Sequence, residues 1–214
     1  MMPVEEMERN LAMQIDSLLP AGESRRFGEL LLKRNPDGTF LAFHRGDELT
    51  DEAPETIDSV DELREIAKYD EGGEYRPLKT APTLRKGWQI ESKNAADFLR
   101  KLDAIYPGAF ATWIAYRDGQ HEATPFRETL DRQTGIDSFA EAITDQMANR
   151  IMREICNRGC LRTIAWPIDR TSPVSRLHGN RSTIPVICTE ACTFAISEAK
   201  RLAKEACEKA NRPA

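Results

Sequence analysis

Cys156 and Cys160 form one C-x₃-C pair, and Cys188 and Cys192 form a second, with 27 residues between them. Four thiols in two matched pairs can close a tetrahedral, soft-ligand site, which suits zinc or an iron–sulfur cluster. Structural zinc sites use ligand gaps of two to four and most often tight C-x₂-C knuckles. A wider pair at the start of a helix spreads its sulfurs and fits a larger object, so the spacing favours a [4Fe–4S] cubane and keeps zinc as the alternative. A third reading is four unligated cysteines, a residue type commonly buried; it leaves the repeated motif unexplained. In a cubane, four cysteines would fill every iron position. That argues against chemistry at an open iron and for electron transfer or a structural role. Cys207 lies fifteen residues beyond Cys192 on the same expected helix, too far to join the quartet, and reads as a core or surface thiol.

Charge is unevenly spread around these residues. From Arg150 to Arg181 the chain carries Arg150, Arg153, Arg158, Arg162, Arg170, Arg176 and Arg181 against only Glu154 and Asp169. Such a belt can offset an anionic metal–thiolate centre, or it can be an ordinary solvated surface. Arg132, Arg162 and His178 are the candidates for groups surrounding the centre. Other chemistry has little support. The sequence holds no G-x-S-x-G elbow, and it has neither a P-loop nor a G-x-G-x-x-G turn. Its three histidines, His44, His121 and His178, sit in three separate segments and read as surface residues.

The elements that must position the cysteines follow from the apolar pattern. Val4, Met7, Leu11 and Ile15 recur at helical spacing. Two apolar runs flank Asn35-Pro-Asp-Gly38 and predict a β-hairpin. Ser59 opens a capping box for a short helix through Ala67. A strand over Arg85–Ile90 and a helix from Ser92–Asp97 to Tyr106 come next. The run Ala109–Tyr116 reads as a strand and Thr124–Gly135 as polar turns. One long helix is predicted from Ser138 to a stop at Gly159, with Cys156 in its last turn. Leu161–Asp169 reads as a strand, residues 170–183 as an exposed loop and Thr183–Cys188 as a short strand. That strand feeds directly into a final helix carrying Cys188 and Cys192 on one face, where free N–H groups and the helix dipole favour thiolates. The expectation is an α+β protein: a small mixed module over residues 1–123, then a helix–strand–loop–strand–helix metal-binding domain over 124–214. Trp113 and Trp166 fall in apolar runs and read as core, whereas Trp88 reads as partly exposed.

At 214 residues with 40% hydrophobic and 30% charged residues, the chain can bury a core. No apolar run reaches the roughly 18–20 residues that span a bilayer. The N-terminus lacks an apolar signal region, which predicts a cytoplasmic protein whose thiols stay reduced and bind metal. A net charge of −5, with eleven acidic residues against Arg64 and Lys68 in residues 46–72, disfavours nucleic acid as a partner.

The contexts CNRGCLRTIAWP and PVICTEACTF, with TPFRETLDRQTG upstream, resemble the [4Fe–4S] domain found fused to sirohydrochlorin chelatases of the CbiX type, behind a stabilising domain. The similarity covers the last ninety or so residues; residues 1–123 match that family only in general layout. The resemblance implies that Cys156, Cys160, Cys188 and Cys192 ligate the cluster. It also implies a link to tetrapyrrole metabolism (sirohaem or cobalamin), with a redox protein or a pathway enzyme as partner. The family's chelatase domain presents histidines from a flavodoxin-like fold. The scattered histidines and missing βαβ succession here predict the accessory iron–sulfur part alone, without chelatase activity.

Overall fold

The computed structural model describes residues 4–45, 47, 54–66, 87–134, 137–157, 162–171 and 182–210. The fold is α+β, and the chain divides into two units, 1–114 with 179–186 and 115–178 with 187–214. A short segment lying between the two cysteine pairs thus belongs to the first unit.

In the first unit, α1 (Val4–Leu18) precedes β1 (Ser24–Phe27), β2 (Leu30–Arg34) and β3 (Phe40–His44), an antiparallel meander. β4 (Glu55–Thr56), α2 (Val60–Ile66), β5 (Trp88–Ser92) and α3 (Ala95–Ile105) follow. β5 pairs antiparallel with β3, β4 pairs parallel with β5, and β7 (Thr183–Ile184) adds in parallel to β1, giving the order β4-β5-β3-β2-β1-β7. Period-two alternation buries Leu30 and Leu32, Phe40 and Ala42, and Trp88 and Ile90. They join Ile15 and Leu19 from the end of α1 and Phe98, Leu102 and Ile105 from α3 in one cluster. Phe40 stacks on Phe98 at 5.1 Å. The cap of α3 is Asn94, whose Oδ1 accepts from the Asp97 N–H at 2.9 Å.

Two side chains depart from the expected exposure. Trp88 is buried. His44 is 6% exposed, with Nε2 3.5 Å from Glu29 Oε1, because it stands on the inward-facing register of β3 with Phe40 and Ala42. Its polar surroundings are built at the β1–β2 turn, where Gly28 (φ +60°) and Glu29 make a two-residue type II′ connection. The Glu29 N–H donates to Tyr106 Oη at 3.1 Å. A Cβ on Gly28 would lie 2.7 Å from that same oxygen. Gly28→Ala therefore combines left-handed strain with a clash, and about 2 kcal/mol or more of stability is expected to be lost. A urea midpoint unchanged from wild type would refute this account of the turn.

Four expectations are revised in the second unit and the segments that lead into it. Ala109–Arg117 is helix α4 rather than a strand. A run of eight mostly apolar residues gives no period to tell the two apart, and its three alanines favour helix. Thr124–Gly135 is not a set of turns: Phe126–Thr134 forms α5. Pro125 stands just before its first turn, a position that costs no hydrogen bond, and Phe126 and Leu130 bury one helical turn apart. The single helix expected from Ser138 is broken into α6 (Asp137–Ala142), α7 (Asp145–Ile151) and a π-helical turn at Met152–Asn157. The break has a local cause. Thr144 is extended (φ −74°, ψ 159°) and caps α7, its Oγ1 accepting from the Met147 N–H at 3.2 Å. Arg127 holds the Ile143 carbonyl at 3.0 Å and Asp145 at 2.8 Å. β6 (Thr163–Ile164), β8 (Ile187–Cys188) and α8 (Thr193–Ala210) complete the unit. The strand expected over Thr183–Cys188 is interrupted at Pro185-Val186, so β7 and β8 lie in different sheets. No helix among the described residues is long and apolar enough to cross a membrane.

Candidate metal centre

The second unit's core is built from Phe126, Leu130, Ile143, Ile151, Trp166, Ala195, Ile196, Ala199 and Leu202, and Cys156 belongs to it at 7% exposure. Cys156 sits in the π-helical turn that follows α7. Such turns widen the backbone and recur at functional sites. Cys188 packs partly buried against the same cluster. Its main chain is fixed by the parallel pairing of β6 and β8, with Ile164 opposite Cys188 and the Ala165 N–H donating to the Cys188 carbonyl at 2.9 Å.

Cys192 is exposed and immediately precedes α8, its carbonyl accepting from the Ile196 N–H at 3.0 Å. Cys188 and Cys192 therefore do not share a helix face. One ends a strand and the other caps the helix, because Thr189–Ala191 form a connection instead of a first turn. Cys207 is exposed on α8. Cys160, Gly159 and His178 lie outside the described residues, as do Arg158, Arg176 and Arg181.

The electrostatics at Cys188 are mixed. Burial pushes its thiol up, and the neighbouring Cys192 adds to this. Hydrogen bonding to the Trp166 side chain and the Glu190 backbone opposes the shift, as does the positive charge of Arg162. The Cys188 Sγ lies 2.9 Å from the Glu190 carbonyl. Arg162 is exposed on the approach to β6. Arg132 is more directly placed: its guanidinium pairs with Glu190, inside the loop joining Cys188 to Cys192. Other arginines of the belt are neutralised locally, Arg150 by Glu154 at 3.2 Å and Arg170 by Glu128 at 2.5 Å.

Sequence reasoning missed the element that ties these loops together. The N–H groups at the start of α5, which no intrahelical carbonyl can satisfy, donate to the chain just after β6: Phe126 to Pro167 at 2.8 Å and Arg127 to Ile168 at 3.1 Å. The Thr124 N–H donates to Thr189, in the Cys188–Cys192 loop, at 2.8 Å. Phe126 stacks on Trp166 with centroids 5.2 Å apart, and Arg127 reaches Asp169 at 2.8 Å. Pro125 followed by Phe126 and Leu130 at i, i+4 was the available signal, too short to stand out in a polar stretch.

The residues suit a thiolate-bound group. Cys156 stands in a π-helical turn and Cys188 at the end of β8; among the described residues the buried Trp166 Nε1–H has no oxygen or nitrogen acceptor, so a sulfur bearing negative charge is the partner its position calls for.

Comparison with known proteins agrees with this arrangement. Residues 15–117 match the family described as the DR2241 stabilising domain. Residues 118–201, which contain all four paired cysteines, match the 4Fe-4S iron-sulfur cluster binding domain. The crystal structure of DR2241 from Deinococcus radiodurans is similar with a TM-score of 0.60 and 26% sequence identity, over 94% of this chain. It is described as a multi-domain protein with structural similarity to chelatases and two additional novel domains, and this chain spans 41% of its length. No curated protein matches the chain.

Proposed function

We propose, for a chain that joins a DR2241 stabilising domain to a 4Fe-4S iron-sulfur cluster binding domain, that Cys156, Cys160, Cys188 and Cys192 hold one [4Fe–4S] cluster whose role is electron transfer. The observation that carries the reading is the cluster-binding match over the segment containing both C-x₃-C pairs. Four thiolates saturate the four irons and leave no site for substrate. What the cluster can do, when bound, is exchange single electrons. The chain's residues hold it from one buried side, at Cys156, and one exposed side, at Cys192. The exposed side brings the cluster's edge within reach of a redox partner protein. Thiolates kept reduced fit a cytoplasmic setting.

The chelatase likeness described for the Deinococcus protein supports a place beside a tetrapyrrole-pathway enzyme, to which this chain supplies an iron–sulfur accessory. The test is anaerobic reconstitution with iron and sulfide. Four irons and four sulfides per chain, a brown colour and a reversible EPR signal on reduction are expected. A colourless protein holding stoichiometric zinc would overturn the cluster. A full cluster that accepts no electron would leave it a structural staple and overturn the redox role.

A further inference from the structure

Trp166 is 2% exposed, and its indole Nε1–H is buried without an oxygen or nitrogen acceptor among the described residues. Buried tryptophan N–H groups ordinarily find one. The ring is not free to turn towards another: it stacks on Phe126 at 5.2 Å and 19°, and the flanking carbonyl of Pro167 is engaged by α5. The pairing of β6 with β8 runs the chain at Ala165 alongside Cys188, through the 2.9 Å bond between their main chains. Cys188 packs against the cluster that holds the Trp166 ring. A neutral thiol is a weak acceptor, and a thiolate accepts far better.

We propose that the Trp166 indole N–H donates to the Cys188 sulfur and thereby sets the reduction potential of the cluster, an inference that rests on the cluster reading above. Reduction brings in one electron from an external low-potential donor; no bond breaks and no proton moves. The added negative charge spreads onto the cysteine sulfurs, so a buried donor aimed at one of them favours the reduced form. Trp166 is thus a tuning residue that acts through Cys188, one ligand of the four. Arg132, acting on the Glu190 side of the same loop, is exposed and solvent-screened, and contributes less.

Trp166→Phe keeps an aromatic ring against Phe126 and removes the N–H. With iron and sulfide content unchanged, the variant's cluster is expected to be about tenfold less reduced at a fixed potential. For one electron that is a fall of about 59 mV, read by EPR-monitored titration with dithionite. A full cluster with an unmoved potential overturns this proposal alone. A wild-type protein that takes up no iron and sulfide overturns the cluster reading, and this proposal with it. Should Trp166→Phe fail to fold, pulsed EPR on reduced wild-type protein carrying ¹⁵N-indole tryptophan decides. A nitrogen coupling to the cluster supports the bond, and its absence overturns it.

Discussion

Cys156→Ser is expected to abolish retention of the cluster, while Cys207→Ser leaves it intact. The two substitutions are chemically identical and differ only in place. Cys156 is 7% exposed within the second unit's core, in a π-helical turn where the backbone is already committed to presenting it. A serine hydroxyl is a harder, poorer ligand for iron than a thiolate. It also leaves a polar group in an apolar cluster, at a cost of about 1–3 kcal/mol if unsatisfied. Cys207 is exposed on α8, and its loss disturbs nothing the centre depends on. The measurement is iron and sulfide per chain after anaerobic gel filtration, with circular dichroism to show that the variant is folded. A folded Cys156→Ser protein with wild-type iron and sulfide would remove Cys156 from the ligand set. Cys207→Ser losing its cluster would show that the quartet is incomplete as drawn.

The parts of this molecule that were legible in the sequence are those where one rule dominates. The hairpin around Asn35-Pro-Asp-Gly38 and the amphipathic α1 are each a strong local signal, and each lies where the sequence puts it. The misread segments are places where a tertiary partner decides. Arg127 lies sixteen and eighteen residues from Ile143 and Asp145, yet its bonds to them help stabilise the break in the expected long helix. Pro185 separates two strand fragments that then pair in parallel with different partners, β1 and β6. Parallel pairing leaves no hairpin signature, so nothing between Thr183 and Cys188 announces it. The same gap explains Cys192: placing it on a helix face assumed that α8 starts at Thr189, whereas it starts at Thr193. His44 was misjudged because it stands on the inward-facing register of β3, where Glu29 from the β1–β2 turn lies 3.5 Å from its Nε2.

Among substitutions away from the cysteines, Phe126→Ala should have the largest effect on the centre. Phe126 is 0% exposed and stacks on Trp166. Its own N–H is one of the three main-chain bonds by which the region of α5 grips the chain after β6 and the Cys188–Cys192 loop. Truncating a buried phenylalanine to alanine costs about 3–5 kcal/mol, a large share of the 5–15 kcal/mol that holds a typical domain together. The backbone bonds survive the substitution in principle, but the ring that keeps Trp166 and α5 in register is gone. The loss is thus expected twice over. The cluster-free protein should unfold at a lower urea concentration, and the loaded protein should lose its iron faster on transfer to a chelator. Phe126→Leu, which keeps most of the volume, should fall between the two proteins. If Phe126→Ala matches wild type in both urea midpoint and iron release, then α5 is a bystander. The hold on the Cys188–Cys192 loop must in that event come from the β6–β8 pairing by itself.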